Sequence, residues 1–427
     1  MPSKTEFLLV IFYWAIFSLI CLKAKFMAVD GLKKRWIVFM LAVKVIGGIM
    51  YGYIHNEYYW GGDAQLFFNI GKNIHESIPK APMYYLKGFL LIPEGLPPDP
   101  NNMWVYPDSF EMVKLLGWYS LIHLHVLLMY ISGGYYNVHV IFIAFVSLIA
   151  GLNFYKVFKR IGTIHETNVG LMVFFIPSVA FWCSGMHKDT FVYLGLSVVM
   201  LSMTRLIESN KIQNWATLIF GVLIIFTYRH YLLTVLFVPL TGWILYYTKF
   251  FNKIWKSYLA ATCLFIGLFW ALALISDRAN IVNVLYNSRQ EFLALLGGSK
   301  FYVAPLEPNL WDFVKYAPMA LFNMIMRPLP YEIKTGLQFL AFLEFCLLVF
   351  LFVLSLIFSK NGASIGKRQS FYWFAWTYAF FNYLLIGVLM DNSGTIVRYR
   401  SVALGLVFWL VIERIDVVEL KKYLGLK

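Results

Sequence analysis

The stretch "FIPSVAFWCSGMHKDTFVYLGLSVVM", residues 175–200, decides the fold class. It is a long apolar run interrupted once, by His187, Lys188 and Asp189. A charge at the centre of a membrane helix costs about 2.5–3.5 kcal/mol on insertion scales, and far less at the membrane edge. The reading that avoids this cost is two spans, 168–186 and 189–207, joined by a hairpin at the bilayer surface.

The rest of the chain agrees. Its 427 residues are 60% hydrophobic and 19% aromatic, with only 14% charged, and its mean hydropathy is +0.68. That balance lies far outside the soluble globular range. The net charge of +14 does not point to nucleic acid, because no basic segment stands apart from the apolar runs as a soluble domain would. It is the charge expected of loops that obey the positive-inside rule. The N-terminal "MPSKTEFLLVIFYWAIFSLI" lacks a basic start followed by a small-residue cleavage site, so it reads as a retained first span. Cys21, Cys183, Cys263 and Cys346 lie in or beside apolar runs without C-x-x-C spacing, implying neither disulfides nor zinc.

A helix needs about 17–25 residues to cross a bilayer. Further runs of suitable length lie near 6–22, 36–54, 134–155, 214–228, 231–248, 257–276, 336–358, 371–390 and 400–415. The expected fold is therefore all-α, a single polytopic transmembrane helix bundle over 1–427 with about 11 spans. The linkers "KAKFMAVDGLKKRW", "KVFKR", "TKFFNKIWKS" and "SKNGASIGKRQ" are basic and recur on alternate sides. Placing them in the cytoplasm puts the N-terminus outside and the C-terminal "LKKYLGLK" inside. This requires "WYSLIHLHVLLMYISGG", 118–134, to be an interfacial or re-entrant helix, since counting it as a span would put "KVFKR" on the wrong side. Two large extracytoplasmic loops follow, 55–133 and 277–335, the first carrying interfacial helices. The hairpin at 187–189 falls on the same side.

Polar groups on that side form the candidate site. Lys188, Arg229, His230, Arg327, Arg398 and Arg400 all fall at or near outer span ends, where the positive-inside rule should deplete cations. Each alone is explained by snorkelling to headgroups or by a local acid. Together they suit a phosphate or pyrophosphate at the membrane edge. The turn "NSGTIVRYR" adds a small-residue entry to a helix, which can offer backbone N–H groups beside Arg398 and Arg400.

Carboxylates are fewer. In "HNEYYWGGDAQLFFNIGKNI", Asp63 follows two glycines and precedes an amphipathic run whose Leu66, Phe67, Ile70 and Ile74 share a face. Asp63 is either the cap of that helix or a general base poised outside the membrane. Asp189 has the same two readings, capping the next span or orienting Lys188 and an acceptor. The histidines of "HLH", 123–125, are two apart and do not share a helix face. Lys44 and Glu344 are mid-span charges at similar expected depth, and are expected to neutralise one another or to mark a proton path. Zincin, Walker and dinucleotide-binding motifs are absent.

Three motifs, "GGDAQLFFNIGKNI", "FWCSGMHKDT" and "GTIVRYR", together resemble the multispanning glycosyltransferases of the GT-C superfamily. The resemblance implies transfer of a sugar, with inversion, from a polyprenyl-phosphate or polyprenyl-pyrophosphate carrier to an acceptor hydroxyl outside the cytoplasmic membrane. It implies Asp63 as the catalytic acid residue of the first loop, Lys188 with Asp189 as a second active-site pair, and Arg398 with Arg400 on the carrier phosphate. Arg229, His230 and Arg327 complete the cationic set. One departure is that Asp63 is followed by Ala64 where many relatives carry two adjacent acids, so no metal is expected, although a divalent cation remains compatible. The partners implied are a lipid-linked sugar donor, a glycan, lipid or protein acceptor, and the bilayer, with no nucleic acid. Loop aromatics Trp60, Tyr84, Tyr85, Trp104 and Trp311 suit stacking on sugar faces or an interfacial belt. A polymerase or ligase of polysaccharide repeat units would use the same carrier. A transporter or flippase of an anionic lipid or solute is the alternative of another class. Paired repeats and discontinuous helices, which that class often shows, are not visible in the sequence.

Overall fold

The computed structural model of the chain describes residues 3–57, 62–90, 109–276, 280–295, 297–360 and 366–425. Among these residues the regular elements are helical, and two isolated antiparallel bridges, Lys300 with Asn392 and Ser359 with Ile415, tie loops to helix ends. The helices are α1 (Lys4–Lys23), α2 (Lys34–Glu57), α3 (Gly62–Ser77), α4 (Pro82–Phe89), α5 (Ser109–Ser132), α6 (Tyr136–Ile161), α7 (Glu166–Phe174), α8 (Pro177–Trp182) and α9 (Lys188–Glu208). They continue with α10 (Ile212–Arg229), α11 (Leu232–Tyr247), α12 (Ile254–Ile275), α13 (Ile281–Ala294), α14 (Leu310–Met326), α15 (Gly336–Ile357), α16 (Gly366–Leu389), α17 (Ser393–Ile412) and α18 (Val417–Tyr423).

Ten of the described helices are long and apolar enough to cross a membrane: α1, α2, the 115–132 part of α5, α6, α9, α10, α12, α15, most of α16, and α17. The chain is thus a multi-pass helical membrane protein. This set differs from the expected one at three places. The 16-residue α11 is apolar but short. Residues 168–186 are not one span, because Pro177 has no N–H and restricts Ile176 before it, so the helix stops at Phe174 and restarts as α8. The expected surface helix around 118–134 has the length and hydropathy of a span.

The helices group into two compact units, residues 1–157 with 179–231, and residues 158–178 with 232–427. In the first unit α9 and α10 form a tight hairpin. A Cβ on Gly195 would lie 2.9 Å from the Gly221 carbonyl, and one on Gly221 would lie 3.0 Å from that of Gly195. Small residues at this crossing let the two backbones touch. The hairpin therefore holds the start of α9 beside the end of α10.

Around that end lies α5. A Cβ on Gly117 would sit 2.8 Å from the Tyr228 carbonyl in the last turn of α10. At its other end Ser132 Oγ bonds His139 Nε2 in the first turns of α6 at 2.7 Å, and Ile131 accepts from the Tyr13 hydroxyl at 2.6 Å. His125 Nδ1 faces His139 Nδ1 at 2.8 Å, while His123 is only half-buried, so the two histidines of "HLH" do point apart. The amphipathic α3 packs on α5 through Phe67, Phe68, Gly71 and Ile74, a face rotated from the expected one so that Leu66 is exposed.

In the second unit the expected loop 277–335 contains α13 and α14, and α14 packs on α16 through a cluster of Phe313, Tyr316, Ala320 and Val388. At the opposite end of this unit Glu413, closing α17, accepts from the Thr163 backbone at 2.8 Å and from its hydroxyl at 2.6 Å. Lys360 bonds the same threonine and the Glu413 carbonyl, at 2.6 and 2.8 Å. The ends of the basic linkers after α6 and α15 thereby meet the end of α17.

Candidate functional site

In the first unit one end gathers the C-terminus of α2, the N-terminus of α3 and the open end of the α9–α10 hairpin, where α9 starts and α10 stops. Asp63 is exposed in the first turn of α3, directly after Gly62, whose φ of +50° suits glycine. It sits inside the helix rather than at its cap, where the helix dipole favours the ionised carboxylate. A Cβ on Gly62 would lie 3.3 Å from His55 Cδ2.

His55 was not singled out by sequence reasoning, although it opens the same quoted stretch as Asp63. Its Nδ1 donates to the Tyr51 carbonyl at 2.9 Å, which fixes the tautomer and makes Nε2 the accepting nitrogen. The half-buried ring lies tilted against Tyr51 at 4.0 Å and meets Trp182 edge-on at 5.8 Å. Tyr51 continues the aromatic contacts to His187 at 5.5 Å. The acid of the first loop and the "GMHKD" hairpin are therefore linked through α2.

Asp189 is buried. Its Oδ1 lies 2.5 Å from Arg229 Nη2 and its Oδ2 lies 2.8 Å from His187 Nδ1. His187 Nδ1 also lies 3.2 Å from the Asp189 backbone N–H. The two contacts need opposite tautomers, and the shorter, charge-assisted one prevails, so Nδ1 carries the proton. Arg229 is 5% exposed and donates through Nη1 to the Tyr231 hydroxyl at 2.5 Å. His187, Asp189 and Arg229 thus form an internal cluster that locks the hairpin. Lys188 is half-buried, its Nζ 5.3 Å from the centre of the Trp118 ring, and His230 is half-buried with its ring 5.9 Å from that of Tyr231.

The remaining expected cations, Arg327, Arg398 and Arg400, lie in the second unit, and Arg400 and Arg327 are held by internal contacts. Arg400 is 4% exposed, with Nη1 donating to the carbonyls of Met324, Ile325 and Arg327 at 3.3, 3.1 and 3.0 Å. These are the orphan acceptors at the end of α14, so Arg400 closes that helix. Arg327 pairs with Glu332, donates through Nε to Asn323 at 3.0 Å and stacks over Phe301 at 3.6 Å. Burial draws its guanidinium down from the ordinary value, opposed by Tyr331 and Tyr316. Arg398 is half-buried, its guanidinium 5.7 Å from the Tyr399 ring.

The "NSGT" turn does not offer its backbone to a ligand as expected. Ser393 N–H donates to the Ser299 carbonyl at 3.0 Å, Gly394 N–H to Ser299 Oγ at 3.2 Å and Thr395 N–H to Asn392 Oδ1 at 3.2 Å. The segment around 299, beside a Lys300–Asp391 ion pair of 3.2 Å, fills the start of α17. The two mid-span charges fall in different units, Lys44 in the first and Glu344 in the second. Glu344 accepts from the Ser178 N–H and hydroxyl, both at 2.5 Å. Lys44 Nζ is buried without a hydrogen-bond partner, 5.4 Å from the centre of the Tyr193 ring.

Among the described residues no group of three or more His, Cys, Asp or Glu is placed to hold a metal ion. Of the loop aromatics, Tyr85 packs half-buried near α3 and Trp311 is exposed; Trp60 and Trp104 lie outside the described residues, as does the Tyr84 side chain. No family model, curated protein or solved structure matches the chain.

Proposed function

We propose that the protein is a membrane glycosyltransferase that moves a sugar from a polyprenyl-phosphate or polyprenyl-pyrophosphate carrier to an acceptor hydroxyl outside the cytoplasmic membrane. The observation that carries the reading is the end of the first unit, where the Gly62–Asp63 start of α3 packs beside His55 and His55 is linked through Tyr51 to His187, the neighbour of Lys188. A sugar phosphodiester already holds a good leaving group. The protein must deprotonate a hydroxyl and stabilise departing phosphate. Asp63 takes the proton, with His55 Nε2 as the neighbouring acceptor, and Lys188 with His230 faces the phosphate.

In this reading Asp189 and Arg229 are positioning residues. Arg400 and Arg327 hold the end of α14, and of the "RYR" pair Arg398 keeps the carrier role that the resemblance implies. In this reading α5 lies along the outer surface, which keeps "KVFKR" cytoplasmic. A polymerase or ligase of repeat units fits the same groups.

Transport of an anionic lipid or solute is the second reading, favoured by the break between α7 and α8. The N–H at that break is filled by the protein's own Glu344, which is why transfer is preferred. Mass spectrometry of lipid-linked and surface glycans, with and without the protein, separates the two. Transfer predicts a rise in one lipid-linked sugar and loss of that sugar from an acceptor. No change in any glycan removes the proposal.

A further inference from the structure

Inside the second unit, α14, α15, α16 and α17 border a small, partly open cavity of about 10 Å³ whose lining includes Glu344, Tyr383 and Arg400 beside apolar residues such as Ile325, Leu348 and Leu404. All three polar side chains are more than nine-tenths buried. Two of them bring donors that the fold does not use: Arg400 Nε and the Tyr383 hydroxyl are buried without a hydrogen-bond partner. The third brings an acceptor, because the Glu344 oxygens receive one hydrogen bond each, from Ser178, and a carboxylate has room for more.

We propose that this cavity is a binding site for one internal water molecule. Its volume is the room that one water needs, and it offers two donors and an acceptor, within the two to four partners typical of a buried water. Charge decides against an ion: Glu344 and Arg400 sum to zero, so a neutral occupant leaves the site balanced, whereas a halide or a metal cation would not. An occupant that both donates and accepts meets all three groups, and water does.

The position gives the water a consequence. Glu344 satisfies the backbone at the break between α7 and α8, and Arg400 satisfies the carbonyls that end α14. Broken backbone at membrane depth is tolerated only where such groups are satisfied. The water joins the two caps into one polar network, so that the α8 start and the α14 end are held by a single site.

Radiolytic hydroxyl-radical labelling of the full protein in detergent tests this, since a bound water generates radicals beside its own ligands. Tyr378, equally buried with an unpartnered hydroxyl but not lining the cavity, is the control. The expected result is labelling of Tyr383 severalfold above Tyr378, lost in Leu348→Phe, which fills the cavity without touching a polar group. A density map of the wild-type protein should show one peak within hydrogen-bond distance of Glu344, Tyr383 and Arg400. Equal labelling of the two tyrosines together with no peak overturns the proposal. So does a peak that gains a bromide anomalous signal after chloride is replaced, which would make the occupant an anion.

Discussion

Arg229 and Asp189 close the α9–α10 hairpin from opposite strands of the chain, the last turn of one helix against the first turn of the other, with Nη2 and Oδ1 2.5 Å apart and both side chains buried. Removing one member leaves the other charge buried alone, a change that typically costs about 3–5 kcal/mol. Asp189→Asn should therefore lower thermal stability sharply, and Asp189→Asn with Arg229→Gln should recover part of the loss. Strict additivity in thermal unfolding would mean that the pair is not coupled.

Arg400 and Arg398, two residues apart, should separate. Arg400→Ala leaves three carbonyls at the end of α14 without their donor, and an unsatisfied buried group costs about 1–3 kcal/mol. Folded yield and melting temperature should fall. Arg398→Ala should keep both near wild type while weakening donor binding about tenfold to a hundredfold, the scale of one charge-assisted hydrogen bond. A stable Arg400→Ala protein would contradict the capping role, and unchanged donor affinity in Arg398→Ala would return Arg398 to headgroup snorkelling.

The contrast shows where sequence reasoning ends. Span positions were legible because hydropathy is a local property, and the break before α8 was missed although Pro177 stands in plain view, since proline inside a membrane helix is often tolerated. Asp63 was legible as an exposed group after two glycines. The use of Arg400 was not, because its acceptors lie 73 to 76 residues away. The same holds for the "NSGT" turn, two of whose N–H groups are taken by Ser299, a partner 95 residues from Gly394.

Lys44, in the first unit, is a buried cation without a hydrogen-bond partner. An apolar side chain of similar length should relieve its desolvation, since replacing poorly compensated buried charge by well-packed apolar groups is often neutral or stabilising. Lys44→Met should raise the melting temperature or leave it unchanged. A marked loss of stability would reveal a counter-charge that the packing does not show.

Sidedness is open to cysteine labelling of intact cells with a membrane-impermeant reagent. Cysteines replacing Asp63 and Asp312 should react from outside, and those replacing Lys33 and Lys253 only after permeabilisation. A cysteine at 63 that reacts only from the cytoplasmic side would place the site on the wrong face for an extracytoplasmic donor.

The central claim is that Asp63 accepts the proton of the acceptor hydroxyl. Asn at this first-turn position forfeits only the charge–dipole contribution, about 0.3–1 kcal/mol, but cannot take a proton. The most direct measurement is sugar transfer in cells whose only copy carries Asp63→Asn, followed as the ratio of lipid-linked sugar to finished glycan by mass spectrometry. With folded yield and melting temperature near wild type, the account predicts that transfer falls by about 10²–10⁴, the scale of general-base catalysis, and that the lipid-linked sugar accumulates. A near-normal ratio in a well-folded Asp63→Asn protein would contradict it.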